Sequence, residues 1–161
     1  MTTPLQAAEA LAGFVPRLAR IIASVLQEGN LAISLRQYRL LERLLEQPAR
    51  TSALATTSGV SQATASAAIS ALEVRGLVER SPDPEDRRAS LVTITAAGQE
   101  LYTDARQVVI ERLSEITLSL PVESLEAITA VAPEILAGVD RNRHQRLSGA
   151  VSSRTGADGT A

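Results

Sequence analysis

The sequence predicts a mainly α-helical chain carrying one small β-wing, and three observations predict it. Apolar residues recur at helical spacing along most of the chain; a short helix, a glycine turn and a second helix follow one another between Thr51 and Arg75; and a charged hairpin with a proline-containing tip comes directly after. That order is a winged helix-turn-helix, with helices from both ends left over for dimerisation. Composition agrees. At 161 residues with 45% hydrophobic content the chain is one ordinary domain in length, enough to bury roughly two-thirds of its unfolded surface. With only 2% aromatics, namely Phe14, Tyr38 and Tyr102, the core must come from Leu, Ile, Val and Ala, which suits close helix packing.

From about Pro4 to Glu28, Leu11, Phe14, Val15, Leu18, Ile21, Ile22 and Val25 form a broad apolar stripe; Pro16 starts the main helix or kinks it, and Gly29 and Asn30 end it. Ser34 and Gln37 have capping-box spacing, and Leu35, Tyr38, Leu41, Leu44 and Leu45 carry an amphipathic helix to Gln47 and Pro48. Thr51 or Ser52 can cap a short helix from Ala53 to Ser58. Gly59 tolerates positive φ and ends it, and Ser61 caps the next helix, which runs to Arg75. Two helices so tightly joined cross steeply. Ala65, Ile69 and Leu72 share the inner face of the second, so Ala63, Ser66, Ala67 and Ser70 face outward. Gly76 stops the helix; Leu77 to Ser81 and Ser90 to Thr95 read as strands around a turn from Pro82 to Asp86.

Ala96 to Leu118 carries Leu101, Val108, Ile110, Leu113 and Ile116, and after Pro121 a further helix carries Leu125, Ile128, Val131, Ile135, Leu136 and Val139, with Pro133 expected to bend or break it. These helices exceed what one small wing domain needs, and large exposed apolar patches are rare on monomers, so the terminal helices are read as a homodimer interface. The chain therefore divides into a single domain over 1–147, with a DNA-binding lobe at about 36–95 and dimerisation helices at about 4–28 and 96–146. From Ser148 to Ala161 the residues are mostly Ser, Gly, Thr and Ala, the composition of a disordered tail.

The net charge is −2 and all 16 basic residues are arginine, so any grip on nucleic acid must come from local clustering rather than from a general cationic field. Arg36 to Val92 holds eight Arg against seven Asp and Glu, whereas the remainder holds eight against eleven. The excess has the sign a DNA-binding centre requires. There is no cysteine, and His144, the only histidine, lies among Arg141, Arg143 and Arg146; neither a thiol switch, a metal site nor a histidine-based triad can be assembled in one chain, which argues against an enzyme, and no cofactor is expected. No apolar run approaches a membrane span and the first residues lack a basic patch, so a cytoplasmic protein without membrane contact is expected.

Three stretches carry a family resemblance: Leu72-Glu-Val-Arg-Gly-Leu-Val-Glu-Arg80, the wing Asp83-Pro-Glu-Asp-Arg-Arg88, and Leu91-Val-Thr-Ile-Thr-Ala-Ala-Gly98. They resemble the multiple-antibiotic-resistance regulator (MarR) family, over roughly residues 10 to 145. The resemblance implies a homodimeric transcription factor, usually a repressor, released from DNA by small aromatic or phenolic molecules. It also implies that Asp86 holds Arg88 in place by a charge-assisted bond.

The candidate DNA contacts follow. Arg87 and Arg88 at the wing tip can enter a narrow minor groove. Gln62 and Thr64, with Ser61 and Ser66, stand near the start of the second helix, where glutamine can read adenine. Since Ala67 and Ala71 leave that helix without positive charge before Arg75, phosphate anchoring falls on Arg36, Arg39, Arg50, Arg75 and the wing. Arg17, Arg20 and Tyr38 are candidates to line an effector pocket. The expected partner is duplex DNA bearing an inverted repeat. The competing reading is a dimeric winged-helix adaptor that binds proteins and has lost DNA binding, as the acidic balance and uncharged helix would permit.

Overall fold

The computed structural model describes residues 2–28, 30–86 and 89–155, with side chains as far as Asn142. The chain forms two compact units, Met1–Ser114 and Glu115–Ala161; the stretch over 1–147 read as one domain contains the boundary between them.

The first unit opens with α1 (Pro4–Gln27), whose capping residue Thr3 exchanges bonds with Gln6 while Pro4 fills the first helical turn. The helix thus starts well before Pro16, which sits inside it without ending it. Ala12, whose carbonyl loses its usual donor to the proline, is exposed, so water can serve that carbonyl. Helix α2 (Leu35–Glu46) has the expected box between Ser34 and Gln37. A strand that periodicity does not reveal follows: β1 (Ala49–Arg50), two residues pairing antiparallel with the wing. Its brevity hides it, because two residues cannot show alternation.

Helix α3 (Thr51–Ser58) begins at Thr51 with Arg50 in the capping position, and no side chain caps it. Neither Thr51 nor Ser52 takes the capping role, because the backbone enters the helix straight from β1. Gly59 adopts φ +65 at its end, and Val60 N–H donates to the Ala55 carbonyl. Helix α4 (Gln62–Val74) follows, with Ala65, Ile69 and Leu72 buried as expected. Strands β2 (Val78–Pro82) and β3 (Ser90–Ile94) make the wing, and the sheet order is β1-β3-β2. Arg80 stands opposite Val92 and Arg50 opposite Leu91.

Helix α5 (Ala96–Thr117) is anchored to the base of the wing through Thr95. Its backbone N–H donates to the Leu77 carbonyl, its hydroxyl donates to the Gly76 carbonyl at 2.7 Å, and the same hydroxyl accepts from Gly98 N–H at 3.1 Å. The core between these elements is aliphatic, with Leu26, Ile33, Leu40, Leu41, Leu54, Ile69, Leu72 and Val92 fully buried. Tyr102 is its aromatic member: it stacks on Tyr38 with ring centroids 5.0 Å apart and donates to Glu42 at 3.1 Å.

In the second unit, α6 (Val122–Thr155) runs without interruption through Pro133. The residue whose carbonyl loses its donor, Thr129, is exposed and its hydroxyl turns back to the Leu125 carbonyl, so the helix continues rather than breaking. The helix also passes Ser148 and reaches Thr155, with no proline in that stretch to end it. The expected tail is thereby shortened, and 156–161 lie outside the described residues. Ile128, Val131, Ile135 and Val139 remain exposed along α6 at spacings of three and four, one unpartnered face. No helix among the described residues is long and apolar enough to cross a membrane.

Candidate nucleic-acid interface

The steep α3–α4 pair exposes the outer face of α4 beside the wing. Ser61 Oγ accepts from Thr64 N–H at 3.2 Å and lies 2.8 Å from the Thr64 hydroxyl. These two candidates therefore cap the helix and bond each other, which fixes its first turn. Gln62 is exposed and Ser66 half-buried. Both open onto a groove of about 390 Å³ that runs between the start of α3, the first turns of α4 and the wing at Arg80, Ala89 and Ser90. Across it stand Arg50, Arg80 and Ser90. Ala63, Ala67 and Ser70 face outward as expected.

The arginines sort differently from the expectation that they anchor phosphates. Arg50 is an internal strut: its Nε donates to Asp83 Oδ2 at 2.5 Å, and Asp83, at 4% exposure, is the one buried charged residue among the described residues. Asp83 Oδ1 accepts from Glu85 N–H at 2.8 Å, a side-chain turn of the kind that an Asp-Pro step favours. The bond from Arg50, reinforced by the Glu85 amide, holds the Asp83 carboxyl below the usual carboxylate range. The same ion pair raises the Arg50 guanidinium. This pair, spanning 33 positions, ties the entry to α3 to the turn of the wing. The Asp-Pro step makes the turn legible from sequence, but the partner 33 residues away is not.

Arg75 is also engaged within the fold, donating from its two terminal nitrogens to the carbonyls of Ala32 and Leu31, each at 3.0 Å. Arg80, which sequence reading does not single out, reaches Ser70 Oγ at 3.1 Å and places its Nε 3.2 Å from Glu73. Arg80 thereby braces the wing against α4. Arg36 and Arg39 are exposed on α2, outside the groove lining. Arg87 and Arg88 lie outside the described residues, and with them the Asp86 to Arg88 bond; Asp86 itself is exposed, and its carbonyl accepts from Ala89 N–H.

Of the effector candidates, Arg17 and Arg20 lie three residues apart on α1. Arg17 donates to the Gly13 carbonyl of its own helix and is exposed, as is Arg20. Tyr38 is half-buried with one ring face covered by Tyr102. The His144 side chain is outside the described residues.

Comparison with known proteins places this geometry. The MarR family model matches residues 33–90, the stretch from the α1–α2 corner through the wing. The chain is 36% identical over 107 residues to an uncharacterized HTH-type transcriptional regulator, YxaD of Bacillus subtilis, covering 66% of this chain and 73% of the relative. Wild-type MarR from E. coli, in its apo form, superposes with a TM-score of 0.73 at 21% identity over 84% of this chain and 98% of that one. CouR from Rhodococcus jostii RHA1, bound to p-coumaroyl-CoA, superposes at 0.61 with 24% identity over 78% and 88%. The α3–α4 pair, the wing and these matches agree: the chain belongs to the MarR family and is a transcriptional regulator with a winged helix-turn-helix fold.

Proposed function

We propose that this regulator is a homodimeric, sequence-specific DNA-binding repressor that a small aromatic or phenolic ligand releases. The observation that carries the reading is the groove bounded by α4 and the wing, with Gln62 and Ser66 opening onto it from a helix whose first turn Ser61 and Thr64 hold fixed. In this reading Gln62 and Ser66 meet base edges in the major groove. Arg87 and Arg88 reach the flanking minor groove, with Asp86 orienting Arg88. Arg36 and Arg39 are the first candidates for phosphate contact in the lobe, since Arg50 and Arg75 already bond within the chain.

Dimerisation is supported by exposed apolar side chains on the terminal helices, including Phe14 and Val15 on α1 and the face of α6. Two copies would then place their α4 helices in successive major grooves about 10 base pairs apart, which calls for an inverted repeat. The ligand reading is supported by CouR, a regulator of the same fold that holds an aromatic acyl thioester. A difference of about 1–3 kcal/mol in ligand affinity between the DNA-bound and free states would suffice for release. Arg17, Arg20 and Tyr38 remain the residues to truncate when a ligand response is in hand.

The test is selection of duplexes from a random pool at two salt concentrations, with the intact protein beside a double Arg87→Ala, Arg88→Ala variant. The expected result is an enriched inverted repeat, bound more weakly by the variant and at higher salt. Failure of the intact protein to enrich any duplex overturns the reading in favour of the protein-binding adaptor.

A further inference from the structure

We infer that Arg75 is a positioning residue that fixes the pitch of α4 relative to α1, and so sets which half-site spacing the dimer accepts. The inference rests on the DNA-binding reading above. Arg75 closes α4, and its guanidinium fork spans two consecutive carbonyls, Leu31 and Ala32, from 44 and 43 positions away. The third carbonyl of that corner, Ile33, accepts from Gln27 at 2.7 Å, while Ile33 N–H donates to Leu26 at 3.0 Å. The corner is therefore held from the α1 side by Gln27 and Leu26 and from the α4 side by Arg75.

Ala32, at its centre, sits at φ +43, the one positive value outside glycine among the described residues. A side-chain-bearing residue keeps that conformation only where its surroundings over-determine it. Here the donors to the flanking carbonyls do so.

The leverage follows from length. Arg75 lies thirteen residues beyond Gln62, which at 1.5 Å rise per residue is roughly 20 Å along the helix. A tilt of about 10° at the Arg75 end displaces the reading end by roughly 3.5 Å, close to the rise of one base pair. Small freedom at this corner is thus a whole step of register on DNA. A phosphate contact by Arg75 is the opposing account, since the exposed guanidinium uses two of its five donors on the carbonyls.

The experiment compares wild type, Arg75→Ala and Arg75→Lys on the selected operator and on operators with one base pair added to or removed from the spacer, over a salt series. Wild type is expected to prefer the selected spacing by roughly tenfold or more, the scale of one misplaced base-pair contact. Both variants should bring the spacers toward parity without changing the salt slope, because lysine keeps the charge but cannot bridge two carbonyls with a planar fork. A slope reduced by about 0.9 per half-site in Arg75→Ala with spacer preference intact would identify a phosphate contact and overturn the inference. A wild-type-like Arg75→Lys overturns it equally. Should Arg75→Ala not fold, Arg75→Lys carries the test. Amide exchange at Ile33 gives a reading that needs no DNA: it should quicken in Arg75→Lys, and unchanged exchange refutes the link. Absence of any duplex binding by wild type defeats the DNA-binding reading instead, and is seen separately.

Discussion

Replacing Gly98 by alanine should destabilise this protein, although helix propensity predicts the reverse. Gly98 lies in the first turn of α5, where alanine ordinarily gains up to about 1 kcal/mol over glycine. A Cβ built there would stand 2.1 Å from the Leu77 carbonyl oxygen and 2.8 Å from Ile94 Cγ1. The carbonyl is backbone and already accepts from Thr95 N–H, so it cannot swing aside alone. Relief requires α5 to lift from the wing, which stretches the Gly98 to Thr95 hydroxyl bond. Overpacking of this kind costs about 1–3 kcal/mol, and the strained bond adds about 1 kcal/mol. Set against the propensity gain, a net loss of about 2 kcal/mol would lower the melting midpoint by roughly 6 °C in a chain of this size. Urea and thermal unfolding followed by circular dichroism would measure it. Gly76→Ala is the control: Gly76 has φ +69 but open space around the added carbon, so it should lose only the conformational cost of about 1–2 kcal/mol. A Gly98→Ala protein as stable as wild type, or more so, would refute the close approach of α5 to Leu77.

The Arg50 to Asp83 strut gives a pH dependence. Because the Asp83 carboxyl is held below its ordinary value, its contribution is complete above the unfolded carboxylate pKa near 4 and is lost as pH falls through the lower folded value; Asp83→Asn should flatten that acid limb in pH-resolved unfolding, and an unchanged limb would exclude the strut. Tyr102 gives the opposite sign. Burial, with help from Tyr38 and the Glu42 charge, raises its phenol well above the usual value near 10, so its contribution is complete below that pH and fades as pH climbs toward the folded value. Absorbance titration should show a tyrosine ionising late, and Tyr102→Phe should remove that step at a cost of about 1 kcal/mol from the lost bond to Glu42. Ser61→Ala should cost about 1 kcal/mol through the lost cap of α4, with a correspondingly lower urea midpoint.

The helices were legible because each carries its own signals within a few residues. The box at Ser34 and the turn glycines at 59 and 76 act over three or four positions, and the structure reproduces them. The candidate site was less legible because its chemistry depends on what each arginine reaches. Composition shows an arginine-only set but cannot show that Arg50 meets Asp83 or that Arg75 meets Leu31 and Ala32, pairings separated by more than thirty residues. The prolines left start, kink and break open. Pro16 and Pro133 each remove one helical bond at an exposed turn, a loss that water can offset, and each helix continues through its proline.

These internal pairings change what the charge of the lobe can do. Of the eight arginines between Arg36 and Arg88, Arg43 is paired with Glu46, Arg50 with Asp83 and Arg80 with Glu73, while Arg75 is held by backbone carbonyls. In the proposed complex that leaves Arg36, Arg39 and the two wing-tip arginines as the candidates to meet phosphates. With four per subunit, a dimer in the proposed complex would neutralise at most about eight phosphates, giving a salt slope no steeper than about −7. The acidic net charge of −2 per chain further weakens attraction to arbitrary duplexes. Three of these eight arginines serve shape: one fixes the wing turn, one braces the wing on α4, and one ties α4 to the α1–α2 corner. In the proposed complex, affinity would then depend on how well that shape fits a particular pair of half-sites, and a ligand that altered the angle between lobes would act directly on that fit.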